Sequence, residues 1–160
     1  MTKHFRCLAA ALFVAALGAA SPPASADVTL TKEEILTVRQ AMMRTNSSYE
    51  GVLTAQAKGE VTIPANQLKQ IGEAWLRLGK AIPVLFQKGS EGIEKSRAKP
   101  EIWSNPDDFK LKLAAYAKAT EKFQQLTQSP ADKAAVDAAF VEVNKACDDC
   151  HKGYRAPAQR

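Results

Sequence analysis

The chain has 160 residues, 46% of them hydrophobic and 24% charged, which suits one globular domain with a single core. Its 22 basic and 17 acidic residues give a net charge of +5. Because these charges are dispersed along the chain, they do not indicate nucleic-acid binding and at most favour an acidic partner protein.

Residues 1–26 are typical of a secretory signal peptide. Lys3 and Arg6 form a positive start, a short apolar stretch follows, and an Ala-Ser-Ala sequence ending at Ala26 provides a cleavage site. The apolar stretch is too short to span a bilayer and no later one is long enough, so we expect no stable membrane association. The mature domain is therefore predicted to comprise residues 27–160.

Four helical segments with almost no strand pattern follow the signal peptide. The first helix is predicted to begin at a capping box formed by Thr31 and Glu34 and to run to about Lys58. Its apolar residues recur at helical spacing, which predicts a buried face made of Ile35, Val38, Met42, Tyr49 and Val52.

Proline marks the second and third helices. The second is predicted to open after Pro64, with Pro83 kinking its last turns. An irregular loop, residues 87–105, leads to a third helix that has Pro106 in its first turn, behind a cap at Ser104 or Asn105. The predicted inner faces are Leu68, Ile71, Trp75, Leu78, Ile82 and Phe86 in the second helix, and Phe109, Leu113, Tyr116, Thr120, Phe123 and Thr127 in the third.

Ser129 is predicted to cap the fourth helix, with Pro130 at its first position. One side of this helix carries Val136, Ala139, Phe140, Val143, Cys147 and Cys150. The two cysteines therefore continue its predicted buried stripe.

A C-x-x-C-H run lies at the end of this helix, from Cys147 to His151. Two thiols at this spacing lie on neighbouring positions of one helical turn, within reach of the two vinyl groups of one porphyrin. His151 follows directly and can turn its imidazole to the iron as the proximal ligand. The motif predicts one covalently bound haem c, attached through thioether bonds from Cys147 and Cys150.

Other uses of two cysteines fit the sequence less well. A redox pair of the thioredoxin type needs a β-α-β setting, whereas the flanking sequence here is helical, and a disulfide at this spacing in a helix is strained. A structural zinc site needs four ligands, but residues 27–160 contain no further cysteine or histidine.

The predicted fold is all-α. The short connections at 59–64 and 128–129 favour antiparallel neighbours, so we expect an antiparallel up-down-up-down four-helix bundle. Helices of roughly 22 residues are about 33 Å long, which is enough to enclose a covalently attached haem.

This pattern resembles the cytochrome c prime family, which includes the cytochrome c-556 proteins. The C-x-x-C-H motif stands near the end of the chain, whereas ordinary class I cytochromes c carry it near the start. Three further features are similar to those of the family: Arg39, the segment 99–103 with Phe109 after it, and the pair Tyr154 and Arg155. The resemblance covers essentially all of residues 27–160.

The residue four positions after Arg39 separates two functions within this family. An apolar residue there usually leaves the iron five-coordinate, which implies a high-spin protein that binds or scavenges nitric oxide or another diatomic gas. A methionine there, as in the c-556 branch, implies a six-coordinate, low-spin electron carrier. This chain has Met43, so the resemblance implies His/Met ligation and electron transfer. Met42 as the ligand, and an open site, remain the alternatives.

Arg39 itself lies on an inward line of the first helix. A haem propionate would explain a charge that is costly to bury alone, and a rim position facing solvent or a glutamate is the alternative.

The remaining expectations concern partners and location. Residues 27–160 hold no second histidine for acid-base catalysis beside a haem, so we expect that the protein is not an enzyme. An electron carrier implies an unidentified redox partner protein. Members of the family that this chain resembles occur as monomers or homodimers, and the sequence favours neither state. Export with haem attachment outside the cytoplasm predicts the bacterial periplasm.

Overall fold

Helices make up nearly all of the regular structure in residues 30–128 and 132–158, the part of the chain that the computed structural model describes. They are α1 (Lys32–Ala57), α2 (Ala65–Ala81), a 3₁₀ helix (Ile82–Phe86), α3 (Glu101–Ser104), α4 (Pro106–Leu126) and α5 (Lys133–Tyr154). The long helices α1, α2, α4 and α5 form the four-helix bundle that the sequence predicts, and α4 packs chiefly against α2 and α5. Within these ranges no helix is both long and apolar enough to cross a bilayer. The predicted signal peptide lies outside the described residues.

Helix α1 begins as predicted. The Thr31 hydroxyl accepts a hydrogen bond from the Glu34 backbone N–H at 3.2 Å, and the Glu34 carboxylate accepts one from the Thr31 N–H at 2.8 Å. These two bonds satisfy amides that have no partner inside the helix. The helix ends at Ala57, and Gly59 then turns the chain with a φ of 77°.

Helix α1 buries only part of the face predicted for it, because four of those five residues are half-buried and its most buried residues lie beside them. Its fully buried residues are Arg39, Asn46, Leu53 and Gln56, whereas Val52 is 37% exposed. The apolar residues Met42 and Tyr49 are only half-buried and pack against the edge of the core. Arg39 and Asn46 turn inward because residues far along the chain supply their hydrogen bonds, which the sequence of a single helix does not reveal.

Pro83 ends α2 instead of kinking it. The α-helix stops at Ala81, and residues 82–86 continue as a 3₁₀ helix with proline near its start. Proline has no N–H for the carbonyl four residues back, and its ring crowds that carbonyl, so the α-helix ends there. The change brings the Leu85 carbonyl to Arg39 of α1.

The later helices differ from prediction mainly at their starts. Helix α4 has Pro106 at its first position as predicted, although Asn105 forms no side-chain cap bond, and the predicted loop before it contains the short α3. Helix α5 begins at Lys133, where the Asp132 carboxylate accepts a hydrogen bond from the Ala134 N–H at 2.9 Å. The predicted cap at Ser129 and Pro130 lies outside the described residues.

Aromatic rings fill the centre of the bundle. Trp75 is 1% exposed and contacts Phe123 edge-on at 5.1 Å and Phe140 in a stacked arrangement at 6.2 Å between ring centroids. These residues come from α2, α4 and α5, so one tryptophan joins three helices. Most residues of the predicted inner faces of these helices belong to this core or pack against it, and Phe109 and Cys150 lie in a second, smaller apolar cluster.

Helices α2 and α4 approach closely at Gly72. A Cβ added there would collide with the Thr127 Oγ1 atom and lie 3.1 Å from the Gln124 Cα atom. We expect Gly72→Ala to lower the free energy of unfolding by about 1–3 kcal/mol, the usual cost of overpacking, measured by urea denaturation of the holoprotein.

Gly51→Ala on α1 is the matched control, because a Cβ there meets nothing within 4 Å. It should raise the free energy of unfolding by up to about 1 kcal/mol through helix propensity. If the two variants shift stability equally, the close approach of α2 and α4 is not what requires glycine at Gly72.

Candidate haem site

A cavity of about 530 Å³ opens between α1, α4, α5 and the loop that precedes α3. Its lining includes the residues that the sequence predicted for the site, which come from two helices more than a hundred positions apart: Arg39, Met43, Cys147, Cys150 and His151. Both methionines pack against the hydrophobic core, but Met42 is not among the described residues that line the cavity.

The last turns of α5 present the C-x-x-C-H residues to this cavity. Val143 and Ala146 are buried just before them, and both cysteines are half-buried free thiols. Burial raises the pKa of the Cys147 thiol to about 12 and also raises that of Cys150.

His151 has an imidazole suited to bind a metal ion. Burial lowers its pKa, and the neighbouring positive charges of Arg155 and Arg97 lower it further. The ring is therefore kept in its neutral form, which has a free nitrogen lone pair for a metal.

Arg39 is buried, with only 5% of its surface exposed. It donates hydrogen bonds to the Leu85 carbonyl at 2.8 Å and to the Ser90 carbonyl and hydroxyl at 2.9 and 2.7 Å. The guanidinium also lies over the rings of Phe86 and Trp103, at 4.3 and 5.5 Å. Burial lowers its pKa to about 10, so it stays charged at neutral pH. The rim alternative is therefore wrong, since this residue ties α1 to the loop.

The chain after His151 is anchored to the fold. Tyr154 is 7% exposed, donates to the Asp108 carboxylate at 2.6 Å and packs edge-on against Phe109 at 5.0 Å. The adjacent backbone pairs with the loop, because the Ala156 N–H donates to the Arg97 carbonyl at 2.8 Å. This pairing holds the end of α5 against the cavity wall.

The sequence reasoning missed a polar pair in the cavity lining. The Tyr116 hydroxyl on α4 donates to the Asn46 side-chain oxygen on α1 at 2.8 Å, and both residues are buried. Asn46 lies seven positions after Arg39, on the same helix face. This seven-residue spacing from Arg39 is the feature of the sequence that places Asn46 on the side of α1 that faces the cavity.

Known proteins with the same pattern settle the family. A family model described as cytochrome c prime matches residues 34–155. The chain belongs to the cytochrome c prime family. Cytochrome c-556 from Agrobacterium tumefaciens (strain II Chrys) is 37% identical over 117 residues, which cover 73% of this chain and 93% of that relative. Cytochrome c' from Alcaligenes xylosoxydans xylosoxydans is 32% identical over 124 residues, covering 77% of this chain and 94% of that protein.

A solved structure of a cytochrome c prime has a fold similar to that of this chain. It is a nitric oxide complex of a variant of cytochrome c prime from Alcaligenes xylosoxidans, with a TM-score of 0.74 and 29% sequence identity. The match covers 82% of this chain and 100% of the solved one. Proteins of this family bind covalently attached haem c with its iron.

The residues of the cavity fit haem c. One Arg39 nitrogen, Nη1, is buried and has no hydrogen-bond partner among the described residues, although the rest of the guanidinium is well bonded. A carboxylate is the natural partner for such a nitrogen, and haem carries two. The apolar walls at Phe86, Ile102 and Leu113 suit the porphyrin ring.

Proposed function

We propose that this member of the cytochrome c prime family is an electron carrier. Cys147 and Cys150 would hold the haem by thioether bonds, and His151 and Met43 would both bind its iron. When bound, haem supplies a one-electron iron(III)/iron(II) couple. The observation that carries the proposal is that Met43 lines the same cavity as the C-x-x-C-H residues.

The chemistry of the Met43 side chain supports electron transfer. A thioether sulfur is a soft ligand that favours ferrous iron, so His/Met ligation raises the reduction potential. A sixth ligand supplied by the protein also keeps exogenous ligands away from the iron. The 37% identical relative named cytochrome c-556 fits this interpretation.

Arg39 would hold the cofactor from the other direction. Its hydrogen bonds to Leu85 and Ser90 fix the guanidinium, and the remaining Nη1 is available for a propionate carboxylate. Such a contact would give this buried positive charge a partner of opposite charge.

A second function has an observation in its favour. The solved relative with a TM-score of 0.74 is a nitric oxide complex, so its fold accommodates a diatomic gas. If Met43 lined the cavity without binding iron, this chain would be a five-coordinate, high-spin protein that binds or scavenges nitric oxide or a similar gas.

The predicted signal peptide and the extracytoplasmic attachment of haem support a periplasmic location. The electron donor and acceptor would be other proteins. The cavity lining holds more basic than acidic residues, with Arg44, Lys95 and Arg97 among the basic ones, which suits an acidic partner. The chain would act as a monomer or as a homodimer. We propose no enzymatic activity.

An optical spectrum with and without carbon monoxide tests the proposed function. The purified ferrous holoprotein should be low-spin and should bind added carbon monoxide only slowly. A high-spin spectrum with rapid uptake of carbon monoxide would instead establish the gas-binding function.

A further inference from the structure

Two buried polar residues flank Met43 on α1, and each ties the helix to another part of the fold. Arg39, four residues before Met43, donates to Leu85 and Ser90 of the connecting segment. Asn46, three residues after it, accepts a hydrogen bond from Tyr116 of α4. Residues three and four apart share one helix face, so the three side chains form a single line along the cavity.

The hydrogen bond between Tyr116 and Asn46 crosses the interior of the bundle. Helix α4 packs chiefly against α2 and α5, so this bond links it directly to α1. Tyr116 is 6% and Asn46 9% exposed, so water competes little for the bond. Burial raises the pKa of the Tyr116 hydroxyl, which keeps it protonated as the donor.

We propose that Tyr116 and Asn46 are positioning residues for Met43. Their hydrogen bond fixes the turn of α1 that carries Met43, while Arg39 fixes the turn before it. With both turns held, the thioether stays in the cavity and rarely gives way to an exogenous ligand. This inference rests on the proposed function, because it takes Met43 as an iron ligand.

The test is the rate at which the ferrous holoprotein binds carbon monoxide, measured by stopped flow. Tyr116→Phe removes one hydroxyl and leaves Asn46 unpaired, so the rate should rise about five- to tenfold, the equivalent of one buried hydrogen bond. The equilibrium spectrum should stay low-spin. Asn46→Leu, of similar size, should give the same rise by removing the other partner.

Tyr49→Phe is the matched control, since Tyr49 lies on α1 but packs against Trp75. Its carbon monoxide rate should equal that of the wild type. A second comparison separates positioning from a general effect on the pocket. In a Met43→Ala background, Tyr116→Phe should no longer change the rate, because the residue it positions is gone.

Each outcome has a distinct meaning. This inference would be overturned, with the proposed function left intact, if the wild type is low-spin and Tyr116→Phe binds carbon monoxide at a rate within about twofold of the wild-type rate. An equal rise in the presence and absence of Met43 would also overturn it. A high-spin wild type that binds carbon monoxide rapidly would overturn the proposed function, and the inference with it. A single cooperative unfolding transition of Tyr116→Phe, with its midpoint well above the assay temperature, would show that the rise is not due to loss of the fold.

Discussion

Replacing Met43 by alanine should convert the haem iron from low-spin to high-spin and open it to carbon monoxide. Met43 lines the cavity beside the C-x-x-C-H residues, and alanine has no atom able to bind iron. If Met43 occupies the iron in about 99% of wild-type molecules, its removal raises the apparent affinity for carbon monoxide about 100-fold. Optical spectra and a carbon monoxide titration of the ferrous protein measure both effects.

Met42→Ala is the control for this experiment. Met42 is the adjacent residue and has the same side chain. Both methionines pack against the hydrophobic core, but only Met43 is among the described cavity-lining residues. The variant should stay low-spin and lose some stability, about 2 kcal/mol or less because the side chain is only half-buried. The reverse result, with Met42→Ala high-spin and Met43→Ala unchanged, would contradict the assignment.

Loss of both cysteines of the motif should abolish covalent haem attachment. Cys147 and Cys150 lie one turn apart at the end of α5, and both line the cavity. In Cys147→Ser/Cys150→Ser no thiol of the mature domain remains to form a thioether, since the third cysteine, Cys7, falls in the predicted signal peptide. A denaturing gel stained for haem should show a strong band for the wild type and none for the double variant.

Cys7→Ser is the matched control for the haem stain. It removes a thiol from the same chain, but one that signal cleavage would discard before the haem is attached. The stained band should keep its full intensity. A haem-stained band in the double variant, or its loss in Cys7→Ser, would contradict the assignment of the attachment residues.

The part of the site on α5 could be predicted from sequence because its signal is local. Cys147, Cys150 and His151 stand within five residues, and the spacing alone brings the three side chains to one helix end. The bundle could also be predicted, since the apolar spacing in α2, α4 and α5 matches the core that these helices form. Caps and prolines located most helix ends to within a few residues.

The full buried face of α1 could not be predicted, because the hydrogen-bond partners of its buried residues Arg39 and Asn46 lie far along the chain. The acceptors of the Arg39 hydrogen bonds lie 46 and 51 positions away, and the partner of Asn46 lies 70 positions away. An apolar stripe is normally the better guide to the buried face, since polar groups are costly to bury without partners. Here those partners exist, so the helix turns its polar line toward the cavity.

Iron K-edge X-ray absorption of the wild-type ferric and ferrous protein tests His/Met ligation most directly. Cysteine sulfurs in haem c are bonded to the porphyrin, so a sulfur atom in the iron coordination shell has to come from methionine. The only methionines in residues 27–160 are Met42 and Met43. We predict one sulfur neighbour in both oxidation states, retained in Met42→Leu and lost in Met43→Leu. A coordination shell of five nitrogen atoms with no sulfur in the wild type would contradict the electron-carrier assignment.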